Sequence, residues 1–169
     1  MPKPDLSRVP TYYHRYIDQV DTDDLRQALK EYRTTLSSYL DTLPDAKWNY
    51  AYAEGKWTVK ELVQHIIDAD RIFSYRALTF ARRDMTPLPG FDENTYAAAC
   101  DANRRSGCEL LRELRTVQES CALLYESMTD EQLAVEGVAN GKHVSVLAIA
   151  FIQVGHAIHH LKVLKERYS

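Results

Sequence analysis

Three of the six histidines in this chain fall within GHAIHH, Gly155 to His160, close to its C-terminal end. Successive residues of an α-helix are turned by about 100°, so His156 and His160 differ by about 40° in direction and one turn in height. Two imidazoles so placed can converge on one metal ion. His159 points about 100° away from His160 and reads as a flanking residue. A third imidazole comes from His65, on an apolar stripe of Leu62, His65, Ile66, Ala69, Ile72 and Phe73. One histidine from one helix and a pair from another make a three-imidazole site with coordination positions left over, the pattern of catalytic rather than structural zinc. Singly, a His-x-x-x-His pair or a histidine on an apolar stripe reads more simply as surface or packing chemistry. Three on inward faces are harder to place that way, because every buried ring nitrogen needs a partner.

Three neutral imidazoles suit zinc, nickel or another borderline divalent ion. Such an ion lowers the pKa of bound water, polarises a substrate oxygen, or holds a thiol as thiolate. Two weak helper candidates lie nearby: Gln153, one turn before His156, and Asp68, one turn after His65. Their simpler readings are a packing amide and a solvated carboxylate. TYYHRY near the N-terminus offers Tyr12, Tyr13 and Tyr16 as a cover for the site, although docking against the helices is the simpler role. His14 and His143 have no partner at ligand spacing and read as surface residues. Cys100, Cys108 and Cys121 lack CxxC spacing, which disfavours a disulfide framework or a cysteine zinc site and fits a reducing compartment. Cys121 falls on a core stripe. Glu-x-x-His pairs of di-iron bundles, HExxH, CxxCH and glycine-rich phosphate loops are absent. A haem held by two histidines stays open.

Four long stretches at helical period must position these side chains. Leu25, Leu29, Tyr32, Leu36, Tyr39 and Leu43 form the first stripe, with Thr22, Asp23 and Asp24 as its start and Pro44 as its end. WTVKEL opens the second: Thr58 and Glu61 predict a capping box, and Trp57 a staple against Leu62. RDMTPLPGFDEN breaks the chain, with a short helix from about Asp92. Leu110, Leu114, Val117, Cys121, Leu124 and Met128 form the third stripe. Thr129 and Gln132 predict a short capped turn and Asn140-Gly141 a tight turn. The last helix starts near Ser145, with Ile149, Gln153, His156, His160 and Val163 facing inward. This predicts an all-α four-helix bundle forming one domain over 1–169.

A net charge of −3 with scattered basic residues gives no footprint for nucleic acid or an anionic membrane. The N-terminal segment is polar and proline-broken, unlike a signal peptide. The longest apolar run, Val144 to Val154, is too short to span a bilayer. The expectation is a cytoplasmic protein acting on a small-molecule substrate.

The stretches GKWTVKELVQHIIDADRIFSYRALTFAR and GHAIHHLKVLKERYS, with the spacer PLPGFDENTY between them, carry a resemblance. Over essentially the whole chain the sequence resembles the DinB/YfiT-like superfamily of metalloenzymes. The resemblance implies a four-helix bundle of unusual left-handed connectivity and a divalent metal bound by His65, His156 and His160. It implies thiol S-transferase-like chemistry with a low-molecular-weight thiol co-substrate, with metal-dependent hydrolysis or non-catalytic binding as alternatives. The chain is expected to lack the extra C-terminal domain of some thiol-dependent isomerase relatives. A homodimer is expected too, with IAFIQVG giving the last helix enough apolar surface to serve both a core and a partner.

Overall fold

The computed structural model describes residues 2–168. The four stripes become helices α2 (Leu25–Leu40), α3 (Val59–Ala81), α5 (Gly107–Glu126) and α7 (Val146–Arg167), joined by the short helices α1 (Thr11–Ile17), α4 (Glu93–Ala99) and α6 (Asp130–Leu133). Each long helix begins where a side chain can satisfy its free amides. Thr58 and Glu61 close a capping box on α3, Ser106 and Glu109 close one on α5, and Asp24 and Ser145 cap α2 and α7. Trp57, half-buried against the core, also lays its ring against His65, with centroids 5.0 Å apart.

The order of packing is unusual. Both α2 and α3 pack against α5 and α7, so α2 lies across the bundle from α3. Helices joined by short loops become antiparallel neighbours; a diagonal step needs a long connection. Here the links carry a 3₁₀ turn at Asp45–Asn49, then α4, then α6 with a β-hairpin. This arrangement sets α3 beside α7, where their histidines can meet.

α7 is wrapped by α1, α2 and α3, and every residue from Val146 to Ala157 is buried. An all-round apolar helix is what such a position demands. By length and composition α7 could cross a membrane, unlike the shorter run considered from sequence, but 72% of that window is buried inside the bundle. IAFIQVG is therefore consumed by the chain's own core and offers no surface to a second copy.

The hairpin itself, β1 (Glu136–Ala139) with β2 (Lys142–Ser145), exceeds the tight turn expected from sequence. Asn140 and Gly141 both take positive φ, 52° and 68°, which matches the twist of a two-residue hairpin. Its strands hold the proline-rich loop. The Leu88 amide donates to the Val138 carbonyl at 2.9 Å, and the Asn140 amide donates to the Leu88 carbonyl at 3.0 Å.

Gly155 explains the glycine before the histidine cluster. A Cβ there would lie 2.0 Å from the Tyr16 carbonyl oxygen, so only glycine lets α1 lie this close to α7. Overpacking typically costs 1–3 kcal/mol, and the obstacle here is backbone. Gly155→Ala is expected to destabilise by about 2 kcal/mol, lowering the melting temperature by roughly 4–8 °C. An unchanged thermal melt would mean that α1 does not pack on α7 in this way.

Candidate metal centre

His65 lies on the second turn of α3, and His156 and His160 lie one turn apart on α7. The Nε2 of His156 is 3.1 Å from that of His65 and 3.1 Å from that of His160. One ligand atom from each residue lies within 4.8 Å of the other two. The rings stand edge to face, at 63° for His65 and His156 and 76° for His156 and His160. Aromatic neighbours fix them: Trp57 beside His65, with Phe73 and Tyr16 against His156 at centroid distances of 5.8 and 5.5 Å.

Hydrogen bonding among the three rings cannot account for this cluster. A neutral imidazole nitrogen carries either one proton or one lone pair. The Nε2 of His156 can therefore donate once or accept once, yet it meets two nitrogens at hydrogen-bond distance. A cation taking all three lone pairs satisfies both contacts. With metal–nitrogen distances of about 2.0–2.1 Å, a 3.1 Å separation suits two ligands on adjacent vertices. The ligating tautomer puts the proton on Nδ1, and the Nδ1 atoms of His156 and His160 are buried without a protein partner. That costs about 1–3 kcal/mol per group, which a strong interaction at Nε2 must offset.

Burial also keeps the rings in the ligating form. It holds His65 down at about 4, against a smaller upward pull from the Glu93 carboxylate. His156 and His160 are pushed well below the ordinary histidine value by burial first and by neighbouring imidazoles second.

The histidines form one wall of a cavity of about 280 Å³. α1 brings Tyr12, Tyr13, Arg15 and Tyr16; α3 brings Ala69, Phe73 and Arg76 beyond His65; the proline-rich loop brings Phe91, α4 brings Glu93, and the hairpin turn brings Asn140. The N-terminal tyrosines thus dock and cover at once: Tyr16 is buried against α7, while Tyr12 is 58% exposed at the rim.

Neither sequence-stretch helper reaches this cavity. Gln153 is spent in the core: its Oε1 accepts from the Tyr125 hydroxyl at 2.8 Å and its Nε2 donates to the Tyr32 hydroxyl at 2.9 Å. Asp68 accepts from the Gln64 amide at 2.9 Å and faces Arg71, because three residues along α3 turn it off the face of His65. His159 is half-buried against Tyr16, with ring centroids 5.5 Å apart. His143 is exposed on β2, whereas His14 is half-buried and bonded at Nε2 to the Val9 carbonyl at 2.8 Å. Cys121 is buried, and no cysteine lines the cavity.

Sequence reasoning did not single out Arg76 or Glu93, which both line the cavity. It also missed Asp70, a fully buried carboxylate of the core beside Tyr32, Gln153 and Gln118. Neither Asp70 oxygen has a hydrogen-bond partner, and burial pushes its pKa up to about 7.

Three convergent imidazoles at the foot of a small cavity make this a helical bundle with a candidate metal centre. Residues 28–164 match the DinB superfamily, and the chain belongs to that family. A protein of Oceanobacillus iheyensis named "Putative metal-dependent hydrolase" is 29% identical over 154 residues, 88% of this chain and 87% of its own length. The structure of YfiT from Bacillus subtilis, described as a four-helix bundle of unusual topology, is similar at a TM-score of 0.74 and 20% identity, covering 97% of this chain and 90% of that one. A mycothiol-dependent maleylpyruvate isomerase shares the fold at a TM-score of 0.64 and 14% identity, covering 93% of this chain and 62% of that one.

The depressed imidazoles set an acid limit on the metal-free protein. The unfolded chain protonates them near pH 6.5, while the folded chain resists until about pH 4 at His65 and until well below the ordinary histidine value at the other two. The unfolded state thus binds more protons in this window, and stability falls as pH drops through it. Asp70, shifted the other way, is one carboxyl opposing three imidazoles. Chelator-treated protein is expected to melt lower at pH 5 than at pH 7, and His156→Leu to flatten that slope. Equal slopes in the two proteins would show that these rings are not held neutral.

Proposed function

We propose that this chain is a divalent-metal-dependent enzyme acting on a small molecule, with His65, His156 and His160 as the metal ligands. The observation that carries the reading is the pair of 3.1 Å contacts at one imidazole nitrogen, which one proton or one lone pair cannot satisfy. A divalent ion at this place supplies Lewis acidity and a nucleophile ionised near neutral pH. The residues of the chain supply the rest. Trp57, Phe73 and Phe91 give the substrate apolar walls and exclude water, while Tyr12 and Tyr13 close the side toward solvent. Glu93 is the one carboxylate among the residues lining the cavity, and we assign it the proton of the incoming nucleophile.

Among the described residues no cysteine, serine, threonine or lysine lines the cavity, and the nucleophile in this reading arrives from solution. Water makes the protein a hydrolase, the reading supported by the name of its Oceanobacillus relative. A low-molecular-weight thiol makes it an S-transferase, the reading supported by its likeness to a mycothiol-dependent enzyme. Zinc and nickel are the ions that the three nitrogen donors suit.

Purified protein is expected to carry one equivalent of metal, lost in His65→Ala. Assays with 4-nitrophenyl esters and with 1-chloro-2,4-dinitrobenzene plus small thiols separate the two nucleophiles, because only the second product requires thiol. Glu93→Gln is expected to retain the metal and lower kcat by about 10²–10⁴, the span of general-base contributions. Activity that survives in metal-free His65→Ala would sink the enzyme reading. A metal-loaded protein inert to every ester, electrophile and thiol would assign the site to binding alone.

A further inference from the structure

Arg76 is only 5% exposed, yet it has no carboxylate partner among the described residues. Its one protein hydrogen bond runs from Nη2 to the Pro89 carbonyl at 2.7 Å. A guanidinium has five N–H donors, so most of its donors remain uncommitted. A largely buried cation without an anion is costly, and its uncommitted nitrogens, which are not sealed in the core, open on the cavity where an anion would offset that cost.

Its position on α3 says where the ligand lies. Arg76 is eleven residues after His65, which returns it to within about 20° of the same helix face, three turns on. Both line the cavity, with Ala69 and Phe73 between them. The Arg76 guanidinium is held at the cavity wall by the Pro89 carbonyl, on the same lining as Phe73 and the histidines. Arg15 adds a second positive charge at the rim, held over the Tyr12 and Tyr16 rings at 4.3 and 4.7 Å. It too lacks a carboxylate partner among the described residues. Glu93 alone opposes the two arginines within the cavity lining. The cavity is therefore basic at Arg76, three turns of α3 from His65, and again at Arg15 on the Tyr16 ring beside His156, with aromatic rings between them.

We propose that Arg76 anchors an oxyanion of the substrate, a carboxylate or a phosphate, so that the cavity takes a small anionic molecule whose reacting group is held at the histidine end. This rests on the enzyme reading above for the word substrate, but anion binding by Arg76 is testable apart from it. The planar fork of arginine suits either oxyanion through paired hydrogen bonds.

The test is calorimetric titration of the full-length protein as purified with benzoate, phenyl phosphate and the neutral isostere benzamide. Metal content is measured on every sample. Loss of a charge-assisted hydrogen bond corresponds to about a 10- to 100-fold change in affinity. Benzoate or phenyl phosphate is expected to bind at least about tenfold more tightly than benzamide, and the better of the two names the anion. Arg76→Gln should erase that preference with metal content unchanged, and Arg76→Lys should keep part of it. If Arg76→Gln fails to fold, the wild-type Arg76 guanidinium nitrogen resonances decide, shifting with the anion and not with benzamide. A preference that survives Arg76→Gln but vanishes in His65→Ala would place the anion on the metal and overturn the proposal. The absence of any preference would overturn it as well. Metal-free wild-type protein with an Arg76-dependent preference would uphold the anchor while removing the metal-dependent function.

Discussion

An imidazole nitrogen has room for one proton or one lone pair, and the centre of this bundle asks His156 for two contacts at once. The rest of the site serves that demand. The rings must stay neutral to present lone pairs, and burial between α3 and α7 keeps them so. They must also stay turned inward without help at Nδ1, where His156 and His160 have no protein acceptor. Ring edges perform that orientation instead, from Trp57, Phe73 and Tyr16. Apolar packing here takes the place that a carboxylate or carbonyl usually holds behind a ligating histidine.

The packing order makes this possible. With α2 across the bundle from α3, the helix bearing His65 and the helix bearing the histidine pair become direct neighbours although α5 lies between them in sequence. The site also sits at a boundary. α7 is buried without interruption through Ala157, after which Ile158, His159 and His160 are only half-buried. A deeper triad would be sealed from any small molecule, whereas a shallower one would be hydrated and protonated near pH 6.5. Gly155 tunes this depth by letting α1 cover His156 closely.

Sequence reasoning reached the helices and the histidines because both rest on period. The 3.6-residue repeat put His65 on the core face of α3, and the i,i+4 spacing stacked His156 over His160. The capping box at Thr58 fixed where α3 begins and so the level of His65. What escaped has a common cause. The strands of the hairpin are four residues long, too short for alternation to register. Arg76, Asp70 and Gln118 are polar residues on buried faces, and pattern reading assigns polar residues to solvent. Glu93 enters the cavity through the fold of the proline-rich loop, pinned by the hairpin and by Arg76. Such contacts span tens of residues and leave no local trace. The family resemblance pointed to the same three histidines but said nothing about the opposite wall.

That wall bears on the chemistry. Carboxylates behind ligating histidines raise ligand basicity and soften the charge of a metal; here no carboxylate contacts the rings, and the nearest acidic group along the cavity is the exposed Glu93. Three neutral donors would leave the full charge of a divalent ion in place, and Arg15 and Arg76 would add to it on the same cavity. Positive potential in a narrow, aromatic-walled space favours the ionised form of whatever enters. Such a field would favour an anionic nucleophile and an oxyanion developing on a bound molecule alike. The buried, uncompensated Arg76 and the ring nitrogens of His65, His156 and His160 are thus two ends of one electrostatic arrangement, set about three helical turns apart along α3. A molecule that satisfies both ends is held in one direction, which is what a site with few hydrogen-bonding side chains needs in order to choose a single reacting atom.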